Sequence, residues 1–196
     1  KRQPIERLIV ATNVNDILHR ALSAGDYSSA TVVPTATPSM DIQVSSNFER
    51  LLFDLGDRDG AALAAQMQGF EASRAMRLTN AQHGGAAAHL ASASVDADGM
   101  ALAMRWAHEH AGELIDPHTA IALSAARSAA FDCPTVTLAT AHPAKFPEAV
   151  ERATGLSPAL PARVGDLFER EEAFVTLDAT FDAVSAYIAE RATPRS

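Results

Sequence analysis

A short run of β-forming residues followed by a turn and an amphipathic helix is the pattern that most constrains the fold of this chain. Residues 8–11 form an uninterrupted apolar run, which is typical of a strand buried on both faces. Polar residues follow at 13–16, and apolar residues then recur at helical spacing until Gly25. A second β-branched run, at 134–139, also precedes a helix start. This alternation predicts an α/β fold with a parallel sheet flanked by helices.

Helical patterns fill much of the remaining sequence. They are predicted to begin at the capping box Ser46-Asn47-Phe48-Glu49, at Gly60, Ala97, Asp116-Pro117, Pro143 and Ser157, and after an Asp178 cap. Further strand candidates, at 31–33 and 173–177, are weak, and residues 77–95 carry no clear pattern. Because a sheet of two strands is a poor independent unit, the sequence predicts a partial sheet that belongs to a larger fold.

Composition limits the classes of partner. The chain has 24 acidic and 16 basic residues among 196, a net charge of −8, which argues against non-specific binding of nucleic acid. No apolar run approaches the roughly 20 residues of a membrane span, and no signal peptide is evident at the amino terminus. Cys133 is the single cysteine and is predicted to be a buried structural thiol. Together these features favour a cytoplasmic protein.

Candidate site residues follow the two predicted strands, where open α/β sheets hold ligands. Asn13 and Asn15 come after the first run, and their amides either hold a ligand or tie down a turn; taken alone, the segment favours the turn. Thr140 follows the second run and is suited equally to a ligand or to a backbone carbonyl. His142 is either an acid–base group or a helix cap. Lys145, in a helix's first turn, indicates a nearby anion or a solvated surface position. The other histidines show no metal-binding spacing, so no metal site is predicted.

Four sequence blocks resemble the bacterial and fungal type of threonine synthase. In chain order they are Ile9-Val10-Ala11-Thr12-Asn13-Val14-Asn15-Asp16, Met40-Asp41-Ile42-Gln43-Val44-Ser45-Ser46-Asn47-Phe48-Glu49-Arg50, Asp116-Pro117-His118-Thr119-Ala120, and Ala139-Thr140-Ala141-His142-Pro143-Ala144-Lys145-Phe146-Pro147. Their order and spacing fit the later, C-terminal part of the family over residues 8 to 150.

The resemblance implies a fold-type-II pyridoxal 5'-phosphate enzyme, a lyase of threonine biosynthesis that converts O-phospho-L-homoserine and water to L-threonine and phosphate. In that family the lysine that forms a Schiff base with the cofactor, and a glycine-rich loop for its phosphate, precede the strand at 8–11. Lys1 and Lys145 are the two lysines here, and neither matches that position. The chain alone is therefore expected to be inactive, with no catalytic residue of its own. Residues 1–150 are expected to belong to the cofactor domain and 151–196 to a helical and strand tail.

The same resemblance suggests roles for individual residues. Thr140 matches the hydroxyl residue that meets the pyridine nitrogen of the cofactor, and Asn13, Asn15, Ser45 and Lys145 are candidates for the substrate side. Two alternatives remain open: a threonine synthase-like phospholyase, or a non-catalytic ligand-binding module of the same fold.

Overall fold

The computed structural model describes residues 5–192, so the amino-terminal residues 1–4, which include Lys1 and bear on the signal-peptide expectation, lie outside the described part. The chain divides into two compact units, Lys1–Ala159 and Leu160–Ser196. The first unit contains, in chain order, β1 (Leu8–Thr12), α1 (Ile17–Ala24), α2 (Phe48–Leu55), α3 (Gly60–Ser73), α4 (Asn80–Ala87), β2 (Leu90–Ser94), α5 (Ala97–Ala111), α6 (Pro117–Ala129) and α7 (Pro147–Thr154). The second unit contains α8 (Phe181–Arg191) and two short 3₁₀ turns.

Strands β1 and β2 form a parallel two-stranded sheet, which confirms the predicted α/β class. The register pairs Leu8 with Leu90 and continues to Thr12 opposite Ser94. Alternate residues face opposite sides, as the twofold period of a strand requires. Ile9, with its same-face neighbours, packs against α5, α6 and α7. On the other face Ser92 Oγ lies 3.0 Å from His19 Nδ1 on α1, so helices flank the sheet on both sides.

The second strand is not where the sequence placed it. Residues 134–139 are mostly exposed and form neither a strand nor a helix. The weak candidates at 31–33 and 173–177 are not strands either. Instead β2 comes from Leu90–Ser94, an alanine- and serine-rich segment inside the stretch that carried no clear pattern. A strand needs a neighbour to hydrogen-bond, so position in the fold outweighs β-propensity here.

Two apolar clusters hold the first unit together. One lies between the sheet and helices α5 to α7, and its buried members are Val95, Met100, Ala103, Met104, Ala120, Ile121, Ala125, Val150 and Ala153. The other joins α1, α2 and α3 through Ile17, Ala21, Tyr27, Phe48, Leu52, Phe70, Met76 and Leu78. Tyr27 lies at its centre, with its ring 4.5 Å from that of Phe48 and 5.0 Å from that of Phe70.

Several predicted helix ends are confirmed. Helix α1 ends at Gly25, whose φ of 68° lies in the left-handed region that glycine adopts without strain. Helices α3 and α5 begin at Gly60 and Ala97 as predicted. Asp116 caps α6 with Pro117 in the first turn, and the carboxylate accepts from the backbone N–H groups of His118 and Thr119 in the same turn.

Other predicted ends are wrong. No Ser46 capping box forms, because α2 begins at Phe48 after Asn47, whose side chain makes no cap bond. Thr180, and not Asp178, caps α8. Pro143 begins a 3₁₀ turn, with α7 following from Pro147, and no helix begins at Ser157.

Cys133 is exposed, which corrects the prediction of a buried thiol. The prediction depended on a buried strand at 134–139, and the neighbouring residues 130–136 are exposed instead. Local desolvation, with the nearby Glu6 carboxylate as a further cause, raises the pKa of the thiol.

Candidate ligand site

Asn13 and Asn15 both lie at the carboxyl end of β1 and converge on the carboxylate of Asp41. Asn13 Nδ2 lies 2.7 Å from Asp41 Oδ1, and Asn15 Nδ2 lies 3.0 Å from the same oxygen. Asn13 Nδ2 also lies 2.9 Å from Thr35 Oγ1 and 2.8 Å from Thr37 Oγ1, so its two hydrogens are shared among three oxygens. Both asparagines are almost fully buried. This polar cluster fixes the loop after α1 against the end of the strand.

The carbonyl oxygens of the two amides are also used within the chain. Asn13 Oδ1 accepts from the backbone N–H of Asn15 at 2.8 Å. Asn15 Oδ1 accepts from Val33 N at 2.8 Å, while Asn15 Nδ2 donates to Val33 O at 2.9 Å. This two-bond pairing imitates a backbone pair. In this structure the amides tie down a turn, as the sequence alone favoured.

Asp41 is the negative centre of this cluster. Burial raises its pKa, but hydrogen bonds from the side chain and backbone of Thr35 and from both asparagines outweigh burial, so the pKa lies below its ordinary value. Thr35 donates from its hydroxyl at 2.7 Å and from its N–H at 2.8 Å. The carboxylate is therefore ionised at neutral pH and organises the loop.

A cavity of about 520 Å³ opens beside this loop, at the carboxyl ends of both strands. Asn13 and Val14 line it after β1, and Val95 and Asp96 line it after β2. The lining is mostly apolar, and α7 closes one side with residues that include Arg152. Open α/β sheets hold ligands at this position. The lining includes Asn13 but none of the other predicted site residues.

Thr140 is exposed, and its backbone ties the segment at 134–139 to α6. Its N–H donates to Thr119 Oγ1 at 3.2 Å. Within residues 5–192 its hydroxyl makes no hydrogen bond, so that group is available to a ligand. Thr119 Oγ1 in turn donates to Oδ2 of Asp116, which is fully buried. Thr140 is thus anchored through its backbone while its side chain stays accessible.

His118 connects the same carboxylate to the other end of the segment. Its Nδ1 lies 3.0 Å from Asp116 Oδ1, which fixes the ring hydrogen on Nδ1. The centre of its ring lies 4.8 Å from that of Phe146. His118 Nε2 is buried and has no hydrogen-bond partner among the described residues. Sequence reasoning treated Asp116 as a helix cap and missed this connecting role, although the Asp-Pro-His-Thr block was visible.

His142 directly precedes the 3₁₀ turn Pro143–Lys145, and Lys145 is the last residue of that turn. His142 Nδ1 accepts from the backbone N–H of Ala144 at 3.2 Å, so the imidazole caps the turn. Lys145 is exposed, with Nζ 5.8 Å from the ring centre of Phe146. Its ammonium is free to meet an anion from outside the described residues.

Ser45 shares no hydrogen bond with the other candidates among residues 5–192, and its backbone is held by Tyr27. The tyrosine hydroxyl accepts from Ser45 N at 2.7 Å and donates to Ser45 O at 3.2 Å. The side chain of Ser45 is partly exposed. The structure therefore brings Asn13 and Asn15 together at Asp41. Thr140 and Lys145 lie on another segment, and Ser45 comes four residues after Asp41 in the chain.

The described part of the chain holds neither a metal-binding cluster nor a helix that could span a membrane. Residues 5–192 contain no group of three or more His, Cys, Asp or Glu side chains that would hold a metal ion. Among the same residues, none of the helices has the length and apolar character needed to span a bilayer.

Comparison with known proteins places this α/β unit. The family model described as "Threonine synthase, C-terminal" matches residues 119–188. Threonine synthase of Pseudomonas aeruginosa is 46% identical over 190 residues, 95% of this chain and 40% of that protein. Human threonine synthase-like 2 is 35% identical over 170 residues, 84% of this chain and 35% of that protein.

Solved structures give the same result. A crystal structure of PLP-bound threonine synthase from Brucella melitensis superimposes with a TM-score of 0.88 at 43% identity, covering 96% of this chain and 41% of that one. Threonine synthase from yeast gives 0.78 at 32% identity, covering 86% and 38%. The chain thus spans about 40% of the length of the relatives it matches.

The fold and the cavity define part of an α/β protein with a candidate ligand site at the carboxyl ends of two parallel strands. The chain belongs to the threonine synthase family and corresponds to its C-terminal portion. The resemblance seen in the four sequence blocks is confirmed.

Proposed function

We propose that this chain supplies the C-terminal part of a pyridoxal phosphate-dependent threonine synthase, a carbon–oxygen lyase that converts O-phospho-L-homoserine and water to L-threonine and phosphate. The observation that carries the proposal is the superposition on a PLP-bound threonine synthase with a TM-score of 0.88 at 43% identity. The lysine that binds the cofactor covalently is expected in the part of the protein outside this chain. The isolated chain is therefore expected not to turn over.

Thr140 is the proposed cofactor-binding residue. Thr140 is exposed, and its hydroxyl makes no hydrogen bond within the described chain, so the hydroxyl can donate to the pyridine nitrogen of the cofactor. When bound, pyridoxal phosphate supplies an electron sink for carbanion chemistry. A neutral hydroxyl at the ring nitrogen, unlike a carboxylate, leaves that nitrogen largely unprotonated and moderates the sink.

Asn13, Asn15, Ser45 and Lys145 are proposed for the substrate side, with different means of action. Because both amides are saturated by intrachain hydrogen bonds, the asparagines act by holding the Asp41 loop beside the cavity. Ser45 is held on the same loop by its backbone. The exposed ammonium of Lys145 is the one group of the four that offers a charge to an anionic substrate.

We also propose that residues 134–139 become a strand in the whole protein. The segment has β-forming residues and is largely exposed, with Val136 at 84% and Leu138 at 72% exposure. Exposed apolar side chains on an unpaired segment of this composition favour pairing with another sheet edge. Such a partner would come from the remaining three-fifths of the family's length.

The experiment compares the isolated 196 residues with the full-length protein that carries them. Phosphate release from O-phosphohomoserine is expected from the full-length protein with pyridoxal phosphate and not from the isolated chain. Turnover by the isolated chain would overturn the proposal that catalysis needs residues outside it. Absence of turnover by the full-length protein would overturn the activity itself.

A second candidate, a threonine synthase-like phospholyase, is compatible with the 35% identity to threonine synthase-like 2. Assaying the full-length protein for both threonine and the 2-oxo acid product separates the two. A non-catalytic module is the third: tight binding of pyridoxal phosphate and phosphohomoserine by the isolated chain would favour it.

In each case the proposed partner is a small molecule, with no nucleic acid or membrane. The proposed location is the cytoplasm, as an unpaired thiol at Cys133 suggests.

A further inference from the structure

We infer that Asp116 and Thr119 are positioning residues that hold Thr140 where its hydroxyl meets the cofactor. The inference rests on the proposed role of Thr140 and adds the groups that set its place. Both lie at the start of α6, outside the residues that the sequence identified as the site. Neither touches the reacting atoms; they act through Thr140.

The carboxylate of Asp116 is fixed from four directions. Its Oδ1 accepts from His118 N at 2.9 Å, from Thr119 N at 3.4 Å and from His118 Nδ1 at 3.0 Å. Its Oδ2 accepts from Thr119 Oγ1. A fully buried carboxylate is tolerated because donors replace its hydration, and four donors leave it little freedom to reorient.

This arrangement sets the direction of the hydrogen bonds to Thr140. A hydroxyl has one hydrogen to donate and two lone pairs to accept with. Since the single hydrogen of Thr119 Oγ1 goes to the Asp116 carboxylate, which only accepts, its lone pairs face the N–H of Thr140 at 3.2 Å. The chain of bonds therefore runs one way, from Thr140 through Thr119 to Asp116.

The segment is held at its far end by the same carboxylate. Asp116 orients the His118 ring, and that ring packs against Phe146 at 4.8 Å between centres. One buried carboxylate thus anchors residues 140 and 146, the two ends of the segment that carries the proposed cofactor residue. The backbone N–H groups that cap α6 bind Oδ1 alone. The hydrogen bond from Thr119 Oγ1 to Oδ2 is therefore not part of the cap, and it orients the Thr119 hydroxyl toward Thr140.

A four-member set of variants in the full-length protein tests the inference: Thr119→Val, Thr140→Ala, the double variant, and Thr119→Ser as the matched control. Valine keeps the shape of threonine but removes the hydroxyl, while leaving Oδ1 of Asp116 to cap the helix. Serine keeps the hydroxyl. The measurements are the dissociation constant of pyridoxal phosphate, by titration, and the absorption spectrum of the bound cofactor.

The expected results follow from the loss of one oriented hydrogen bond. Thr119→Val weakens cofactor binding by roughly 5- to 30-fold and shifts the absorption spectrum in the same direction as Thr140→Ala. Thr119→Ser stays within about twofold of the parent. In the Thr140→Ala background, Thr119→Val has no further effect, because the hydroxyl that it positions is already gone.

Three results would overturn the inference. Parent-like affinity and spectrum in Thr119→Val, with Thr140→Ala impaired, would remove the positioning role and leave the proposed function intact. Equal losses from Thr119→Val in both backgrounds would mean a general structural role and overturn it likewise. No effect of Thr140→Ala would overturn both the inference and the cofactor role of Thr140. If Thr119→Val does not fold, Thr119→Ala serves in the same cycle.

Discussion

The carboxylate of Asp41 accepts a hydrogen bond of 2.7 Å from the side-chain amide of Asn13, which lies 28 positions earlier in the chain. The bond joins the end of β1 to the loop that follows α1. Because the same carboxylate also accepts from Asn15 and Thr35, the loop cannot move without leaving an ionised group unpaired. Asn13, Thr35 and Thr37 of this cluster line the cavity at the strand ends.

Asp41→Asn is expected to destabilise the chain by roughly 1–3 kcal/mol. The substitution keeps one acceptor oxygen, which can take the place of Oδ1 and accept from Asn13 and Asn15. The NH₂ group then takes the place of Oδ2 and faces the backbone N–H of Thr35, so two donors meet. Urea unfolding followed by circular dichroism measures the change. Asp132→Asn, at an exposed aspartate, is the matched control and should leave the midpoint unchanged.

The contribution of Asp41 to stability is expected to depend on pH. Because its pKa is lowered on folding, the stabilisation is present above the unfolded-state pKa of about 3.9 and is lost as pH falls through the lower folded value. The stability difference between the parent and Asp41→Asn should therefore narrow as pH falls below about 4. Unfolding curves at pH 6, 4 and 3 measure it, and a difference that stays constant over that range would be evidence against this origin.

Tyr27→Phe is expected to lower the free energy of unfolding by roughly 1–2 kcal/mol without disturbing the aromatic cluster. The variant keeps the ring contacts with Phe48 and Phe70 but removes the hydroxyl that pairs with both backbone groups of Ser45. Tyr187→Phe is the matched control, since this is the other tyrosine of the chain and it is partly exposed on α8. Equal unfolding midpoints for parent and Tyr27→Phe would show that the Ser45 bonds add nothing.

The single thiol reports on residues 134–139. Cys133 is exposed here and is expected to react fully with a thiol reagent in the isolated chain, faster as pH rises because its raised pKa keeps it protonated at neutral pH. In the full-length protein, pairing of 134–139 into a sheet should slow the reaction. Equal rates in the two proteins would contradict the proposal that the segment becomes a strand.

Local signals in the sequence were sufficient for much of the fold and insufficient where partners decide the outcome. The Asp116-Pro117 start of α6 and the Gly25 end of α1 are short-range effects, and both were predicted correctly. Strand β2 was missed because its alanines and serines have low β-propensity and are held by pairing with β1. Residues 134–139 have the propensity but pair with no strand among residues 5–192.

For the candidate site, the sequence identifies several of the residues but not the hydrogen bonds that connect them. The Asp-Pro-His-Thr block predicts a helix cap, but it does not predict the hydrogen bonds that connect Asp116 to Thr119 and Thr119 to Thr140. Thr119 and Thr140 are 21 positions apart, and a contact over that distance leaves no periodic pattern in the sequence. In the same way the sequence identifies Asn13 and Asn15 as residues at the end of a strand. It does not show that their side-chain amides are already hydrogen-bonded to Asp41 and Val33.

The central claim, that this chain is one wall of a cofactor site whose covalent lysine lies elsewhere, is tested most directly by borohydride reduction with stoichiometric pyridoxal phosphate followed by peptide mapping. The full-length protein should carry the phosphopyridoxyl group on a lysine outside these 196 residues, and Lys145→Arg should leave that labelling unchanged. Stoichiometric labelling of Lys145, lost in Lys145→Arg, would contradict the claim.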